Sequence, residues 1–416
     1  MKEILTLPRV FDHHSHLSYA ALLSSCPDLS GCASDAEAAE ILGGLSNPDF
    51  NIVIGWHSGR IHLSEELMDS LPPAVVINFS LHGFVCNKKA AAILRKAGIN
   101  PEPQTVLEAE RAMPQLLGFF PNYAMRGRSE NGLLSVIDHY IRELMNKGIY
   151  GIDDMLYVTP FIDSRKLKKR ASRCGFKLAV REALPLDGSE PNGCSARSGK
   201  DGRLRLKLFA DGAVGAGSAA VSEGFLEGKG SPVLIYDAEG MEKALTECIK
   251  READTAVHAI GDLACGQVLE AYRKLGPLPS GSKFSLRLEH CQFITLEQAV
   301  LAKELGVSLC LQPNFNEDSV TYADRLSENS CKRNNPLRML IDEAGFIPGK
   351  DLLFGSDGMP SGLAPALENI LFPPYPGQRL SIDELLDGYS ANSDYGTDSY
   401  EVDSTEKTVT ILPDAG

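Results

Sequence analysis

The chain of 416 residues carries a formal charge of −14 and a hydrophobic share of 43%, enough apolar side chains for a large packed core. No basic stripe is available to neutralise phosphates, which excludes nucleic acid as an expected partner. The ten cysteines include no C-x-x-C pair, the N-terminus lacks the apolar stretch of a secretion signal, and no run reaches membrane-spanning length. These features predict a cytoplasmic protein with reduced thiols and no membrane partner.

In chain order, the run Leu7 to Phe11 reads as a first strand ending in Asp12-His13-His14-Ser15-His16. Alternation along a strand puts Asp12, His14 and His16 on one face, where two imidazoles can grip a metal and the carboxylate can hold the rings or approach the ion. Residues 18–130 then form a long excursion with helical patches and a strand-like run from Ala74 to Phe79. Excursions of that length are usually functional, and this one is expected to cap one mouth of the main domain. It contains Ser80-Leu81-His82-Gly83-Phe84-Val85-Cys86-Asn87, a histidine and an asparagine ahead of an apolar helix.

From Asn131 a helix is predicted to about Lys147, after which strands and helices alternate. The strand candidates are Gly148 to Leu156, Phe176 to Leu184, Leu204 to Gly212, Thr255 to Gly261, Ser285 to Gln292, Val307 to Pro313 and Asp351 to Asp357. With the first strand they predict an α/β fold, a parallel (β/α)8 TIM barrel over residues 1–17 and 131–372, followed by C-terminal trim over 373–416. In such a barrel the active residues lie at the C-terminal strand ends. The polar residues His16, Asp153, Asp154, Lys207, Asp211, His258, His290, Gln312 and Asp357 fall at those ends.

Several of these residues have a chemical and a plain reading. Lys207 is either a cation paired with Asp211 or Asp154, the weightier reading on spacing alone, or an amine that adds carbon dioxide and bridges two metals. A single buried histidine is usually a satisfied core residue, but His258 and His290 at equivalent strand ends match His14 and His16 and favour ligation. Asp357, in Gly355-Ser356-Asp357-Gly358, is either a turn aspartate or a carboxylate that touches both a metal and its water. Metal-assisted hydrolysis fits the set: a catalytic zinc lowers the pKa of water from 15.7 to about 7, roughly 12 kcal/mol of help in forming hydroxide at 1.36 kcal/mol per unit. Asp357 would shuttle the proton of that hydroxide, and His82 or a metal would stabilise the oxyanion.

The order D-x-H-x-H, Lys-Leu-Phe-Ala-Asp-Gly-Ala, His-Ala-Ile-Gly-Asp, Arg-Leu-Glu-His-Cys-Gln and Gly-Ser-Asp resembles the amidohydrolase superfamily, and most closely the subgroup that includes N-substituted formamide deformylase. The resemblance implies His14, His16, His258 and His290 as ligands of one or two divalent ions, zinc by default, with Lys207 as a carboxylated bridge. It implies Asp357 as ligand and general acid/base, and it makes the segment around His82 and Asn87 a pocket motif. Asn87, Asp211 and Gln312 are expected to hold substrate. Family members usually begin with part of a small β-sandwich, whereas this chain is read as opening directly on the first barrel strand, with the sandwich reduced or absent. That leaves the usual oligomer contacts in question and a homodimer open.

The leading expectation is hydrolysis of an amide, N-acyl or cyclic amide C–N bond in a small-molecule substrate. Ester or lactone hydrolysis at the same site is the alternative within enzymes, and a silent barrel that binds a small molecule is the alternative outside them.

Overall fold

The computed structural model describes residues 1–57, 59–79, 82–124, 129–155, 164–184 and 203–413. The chain opens with β1 (Lys2–Pro8) and β2 (Val10–Ser15), and the excursion holds β3 (Asn51–Trp56), β4 (Ala74–Asn78) and β5 (Phe84–Cys86). After β6 (Ile149–Asp154) come β7 (Lys177–Val180), β8 (Glu182–Ala183), β9 (Arg205–Phe209), β10 (Asp254–Ala259), β11 (Ser285–His290), β12 (Ser308–Leu311) and β13 (Leu352–Phe354). The tail ends in β14 (Thr397–Asp403) and β15 (Thr408–Ile411).

Two parallel sheets make the barrel wall, one in the order β2-β6-β7 and one in the order β8-β9-β10-β11-β12-β13. β7 and β8 are one strand position interrupted at Arg181, whose N–H still donates to the Asp154 carbonyl at 2.8 Å. The opposite seam joins β2 to the end of β13: the Asp357 N–H donates to the His14 carbonyl at 2.7 Å, and the Ser356 N–H donates to Asp12 Oδ1 at 2.9 Å. The strands are buried on both sides, as parallel strands covered by helices must be. Helices between them start on capping side chains, such as Asp237 ahead of Ala238–Lys250 and the Thr295–Gln298 box ahead of Leu296–Glu304.

Two boundaries differ from the expectation. The chain does not open on the barrel: β1 pairs antiparallel with β14 over Lys2↔Asp403 to Pro8↔Thr397, and β14 pairs with β15. Only from Val10 does the chain enter the barrel, so the range 1–17 joins two elements of different sheets. Local pattern could not separate them, because the partner of β1 lies at the far end of the chain. The excursion also holds more structure than its patches suggested. There β3 and β4 pair in parallel, β5 joins antiparallel, and a separate core forms around Leu42, Val53, Met68 and Val76.

Candidate metal centre

The barrel strands bring the expected ligands to one place. His14 lies near the end of β2 and His16 just beyond it, Lys207 on β9, His258 on β10, His290 at the last residue of β11, and Asp357 after β13. His16 Nε2 is 2.9 Å and His14 Nε2 3.4 Å from Asp357 Oδ1. The His14 and His290 rings lie 4.7 Å apart and those of His258 and His290 4.5 Å apart, centre to centre. Ligand atoms of His14, His290 and Asp357 all lie within 4.8 Å of one another, close enough to share an ion.

Backbone strain sits at two of these positions: His290 has φ 71° and Asp357 φ 57°, a region that side-chain-bearing residues seldom adopt. At His290 the unusual φ breaks strand alternation, so Glu289 and His290 both approach His14. At Asp357 the N–H bond to His14 holds the turn. Such outliers cluster where the surrounding structure over-determines a functional geometry.

Charge states suit a metal. Burial holds His14, His258 and His290 well below the ordinary imidazole value, in the neutral form that ligates. Burial pushes the Asp357 carboxyl up, but the adjacent His14 and His16 outweigh it and keep the group ionised. Lys207 is buried with no hydrogen-bond partner for Nζ among the described residues, and its ammonium lies 5.5 Å from the centre of the Phe209 ring. Burial lowers its pKa to about 8. The ion pair with Asp211 or Asp154 that spacing favoured is not formed. An amine buried without a partner is costly as a cation, and the neighbouring neutral histidines and ionised Asp357 are a donor set that fits a divalent ion.

Around this cluster lies a pocket of about 650 Å³ lined by His14, His16, Lys207, His258, His290 and Asp357, with His82 beside them. The excursion contributes Phe79, stacked on His57 with ring centres 4.5 Å apart, and Met113. Barrel loops contribute Phe315, Tyr322 and Met359. His82 Nδ1 is 2.7 Å from Glu110 Oε2. Burial pushes the His82 pKa down, but the Glu110 carboxylate more than offsets it, so the ring favours its proton. Ser80 and Leu81 of the same motif lie outside the described residues.

Three expected substrate residues do other work, and none of them lines the pocket. Asn87 is 2% exposed. Its Oδ1 accepts from the N–H groups of Ala90 and Ala74, and its Nδ2 donates to the carbonyls of Met68, Leu71 and Pro72. Asp211 accepts from the N–H groups of Ile260, Gly261 and Ala220 and so braces the loops above β9 and β10. Gln312 Oε1 is 2.7 Å from His290 Nδ1 and orients that ring. Asp12 likewise holds no imidazole; it accepts from the N–H groups of Ser356 and His14 and from the Ser356 hydroxyl, stapling β2 to β13.

Sequence reasoning missed Glu289 and Glu110. Glu289 was visible in principle, because alternation puts it on the inward face with Arg287 one turn of the pleat away. Glu110 was visible only as an acid on the buried face of the helix Val106–Ala124, alongside Met113 and Leu116.

With this geometry in hand, the amidohydrolase family matches residues 76–368. The chain belongs to that family. It is 30% identical over 146 residues to YtcJ of Bacillus subtilis (strain 168). It is 26% identical over 140 residues to the protein LONG AFTER FAR-RED 3 of Arabidopsis thaliana. These segments cover 35% and 33% of this chain but only 27% and 24% of those relatives. Among solved structures, an uncharacterized metal-dependent hydrolase from Pyrococcus furiosus superposes with a TM-score of 0.65 at 21% identity, over 93% of this chain and 81% of that one. A second, from Pyrococcus horikoshii, gives 0.63 at 19% identity, over 93% and 80%. Both likenesses speak for the fold, the (β/α)8 barrel of the family. Among the described residues no helix is long and apolar enough to cross a membrane.

Proposed function

We propose that this amidohydrolase-family chain is a metal-dependent hydrolase of a carbon–nitrogen bond in an amide, N-acyl or cyclic amide substrate. The observation that carries the reading is the partnerless buried Nζ of Lys207 among neutral His14, His258 and His290 and the ionised Asp357. Addition of carbon dioxide to that amine would replace an unpaired ammonium with an anionic group bearing two oxygen donors. His14, His16, His258, His290, Asp357 and the modified Lys207 would then hold two divalent ions, zinc by ligand type. When bound, such ions supply Lewis acidity that makes water nucleophilic near neutral pH and polarises the substrate carbonyl.

The chain's own residues supply the rest. Asp357, at the strand end facing the pocket, takes the proton of the attacking water and returns it to the leaving nitrogen. An amine leaves far more readily once protonated, so a carboxylate that keeps the proton in the site supplies what C–N cleavage needs. His82, braced by Glu110, donates to the carbonyl oxygen as charge builds on it. Phe79, Phe315 and Tyr322 hold the apolar body of the substrate and exclude water. The motif resemblance to N-substituted formamide deformylase makes N-substituted amides the first compounds to test. None of the described cysteines is paired, which supports the cytoplasm as the place of action.

The test is metal content per chain by mass spectrometry on protein purified without chelators, for the wild type and Lys207→Ala, with turnover of amides, esters and lactones. About two ions per chain in the wild type, fewer in the variant, and amide turnover exceeding ester turnover are expected. No metal after incubation with zinc and bicarbonate would overturn the reading. Ester turnover ahead of amide turnover would replace its substrate class.

A further inference from the structure

Behind His14, on the side away from the pocket, lies a carboxylate that the hydrolytic reading does not use. Glu289 is fully buried, with Oε2 2.6 Å from His14 Nδ1. Its other oxygen, Oε1, accepts from Arg287 Nε at 2.5 Å. Arg287 is fixed in turn by the His13 carbonyl at 3.1 Å and Asp153 Oδ2 at 3.5 Å, and Arg181 Nε donates to the same Asp153 oxygen at 3.0 Å. Each oxygen of Glu289 therefore has a nitrogen partner, and the Cys310 thiol also lies against the carboxyl.

We infer that Glu289, held in place by Arg287, is a positioning residue for metal binding at His14. Glu289 is already the acceptor for Arg287 Nε at 2.5 Å, so at the 2.6 Å contact His14 Nδ1 is the donor and carries the ring proton. That leaves the lone pair on Nε2, the nitrogen that faces Asp357. A carboxylate behind a ligating imidazole also raises its basicity, and losing such a partner typically weakens metal affinity about 10–100-fold. Glu289 is not itself a ligand: an ion between it and His14, with bonds near 2.0–2.2 Å, would hold N and O about 3 Å apart or more. The same spacing excludes an ion shared by His14, Glu289 and Cys310, although their donor atoms are near one another. The partners of the other histidines are weaker. Gln312 offers His290 a neutral amide oxygen and Gly212 offers His258 a carbonyl, while His16 Nδ1 is buried without a partner among the described residues. Asp211 Oδ1 lies farther off, 3.4 Å from His258 Nε2, so the 2.6 Å contact of Glu289 with His14 is the shortest carboxylate contact among them.

The inference rests on the proposal that the cluster binds a divalent ion, and the test separates the two. Zinc affinity is measured by chelator competition on metal-free wild type, Glu289→Gln and the double variant Glu289→Leu/Arg287→Met, each with a thermal melt. Gln has one acceptor oxygen for two donors, so Arg287 and His14 compete for it and zinc affinity is expected to fall about 10–100-fold. The double variant removes both charges together, which spares the fold an unpaired buried ion. Its zinc affinity is expected to fall by a similar factor while its melting temperature stays near that of the wild type. Wild-type affinity in the double variant would overturn the positioning role, and wild type that binds no zinc would instead overturn the metal reading beneath it. A measurement on unaltered protein guards against variants that do not fold. The 15N imidazole resonances should show His14 protonated on Nδ1, and a proton on Nε2 in the metal-free protein would overturn the inference.

Discussion

At the scale of single residues, what a polar side chain touches decides what it does, and Lys207 and Asn87 are the sharpest cases. The Lys207 pKa falls to about 8 from an ordinary 10.5 because its ammonium is buried. Between these values the unfolded chain holds the proton and the folded chain does not, so the stability of metal-free protein rises with pH across that window. Below it both states are protonated and the full penalty remains, on the order of 3 kcal/mol at 1.36 kcal/mol per unit. In bicarbonate-free buffer, metal-free Lys207→Met should therefore be more stable than wild type at pH 7, with the gap closing towards pH 10, as urea unfolding at both pH values would show. Asn87→Ala should cost about 2–4 kcal/mol in the same assay, because it removes a helix cap and strips three carbonyls of a donor. Zinc affinity should not change. The cluster of His14, His16, His258, His290 and Asp357 was legible in the sequence because histidine and aspartate at strand ends have few other uses there. Asn87, Asp211 and Gln312 were not, since an amide or carboxylate near a site serves substrate or backbone equally well until the partners are known.

At the scale of elements, the barrel strands were legible because β-branched and apolar runs alternate with amphipathic helices at regular intervals. β1 was not, because a strand on a small sheet has no pattern that distinguishes it from the barrel strand next to it. The seam between β2 and β13 was equally hidden, though it shapes the site. A Cβ at Gly355 would lie 2.4 Å from the His14 nitrogen and 2.5 Å from its Cβ, so only glycine lets the two strands approach. Gly355→Ala must move His14 or open the seam. Overpacking of this kind costs about 1–3 kcal/mol, and here the shift also disturbs the Asp357–His14 bond that holds the Asp357 turn. A lower melting temperature together with weaker zinc binding is expected. Loss of stability with wild-type zinc affinity would mean that the seam can open without moving the ligands.

At the scale of the whole molecule, the barrel interior has two chemistries, a pocket lined by clustered histidines above and an ionic floor below. The floor is a smaller cavity lined by Asp153, Arg181, Arg205, Asp254 and Arg287 among others. Arg181, 2% exposed, donates to Asp153 and to both oxygens and the carbonyl of Asp254. Burial pushes the Asp254 carboxyl up, but Arg181 and Arg205 outweigh it and hold it well below the ordinary value. A depressed carboxylate contributes stability that is present above its unfolded value and lost as pH falls through the folded one. The Asp254 contribution should thus drain away as pH falls below the ordinary carboxylate value, after the buried neutral His14, His258 and His290 have already begun to weaken the metal-free fold below the ordinary imidazole value. Arg181→Met leaves Asp153 and Asp254 short of a buried partner, which should cost about 3–5 kcal/mol at pH 7 and move the acid midpoint upward. Because the pair is buried, 0.5 M salt should shift the wild-type midpoint little, whereas a floor open to solvent would be screened at a Debye length of only a few Å, about 3 Å at 1 M. A midpoint that rises steeply with salt would show that water and ions reach the floor, and that the arginines stabilise the barrel far less than their burial implies.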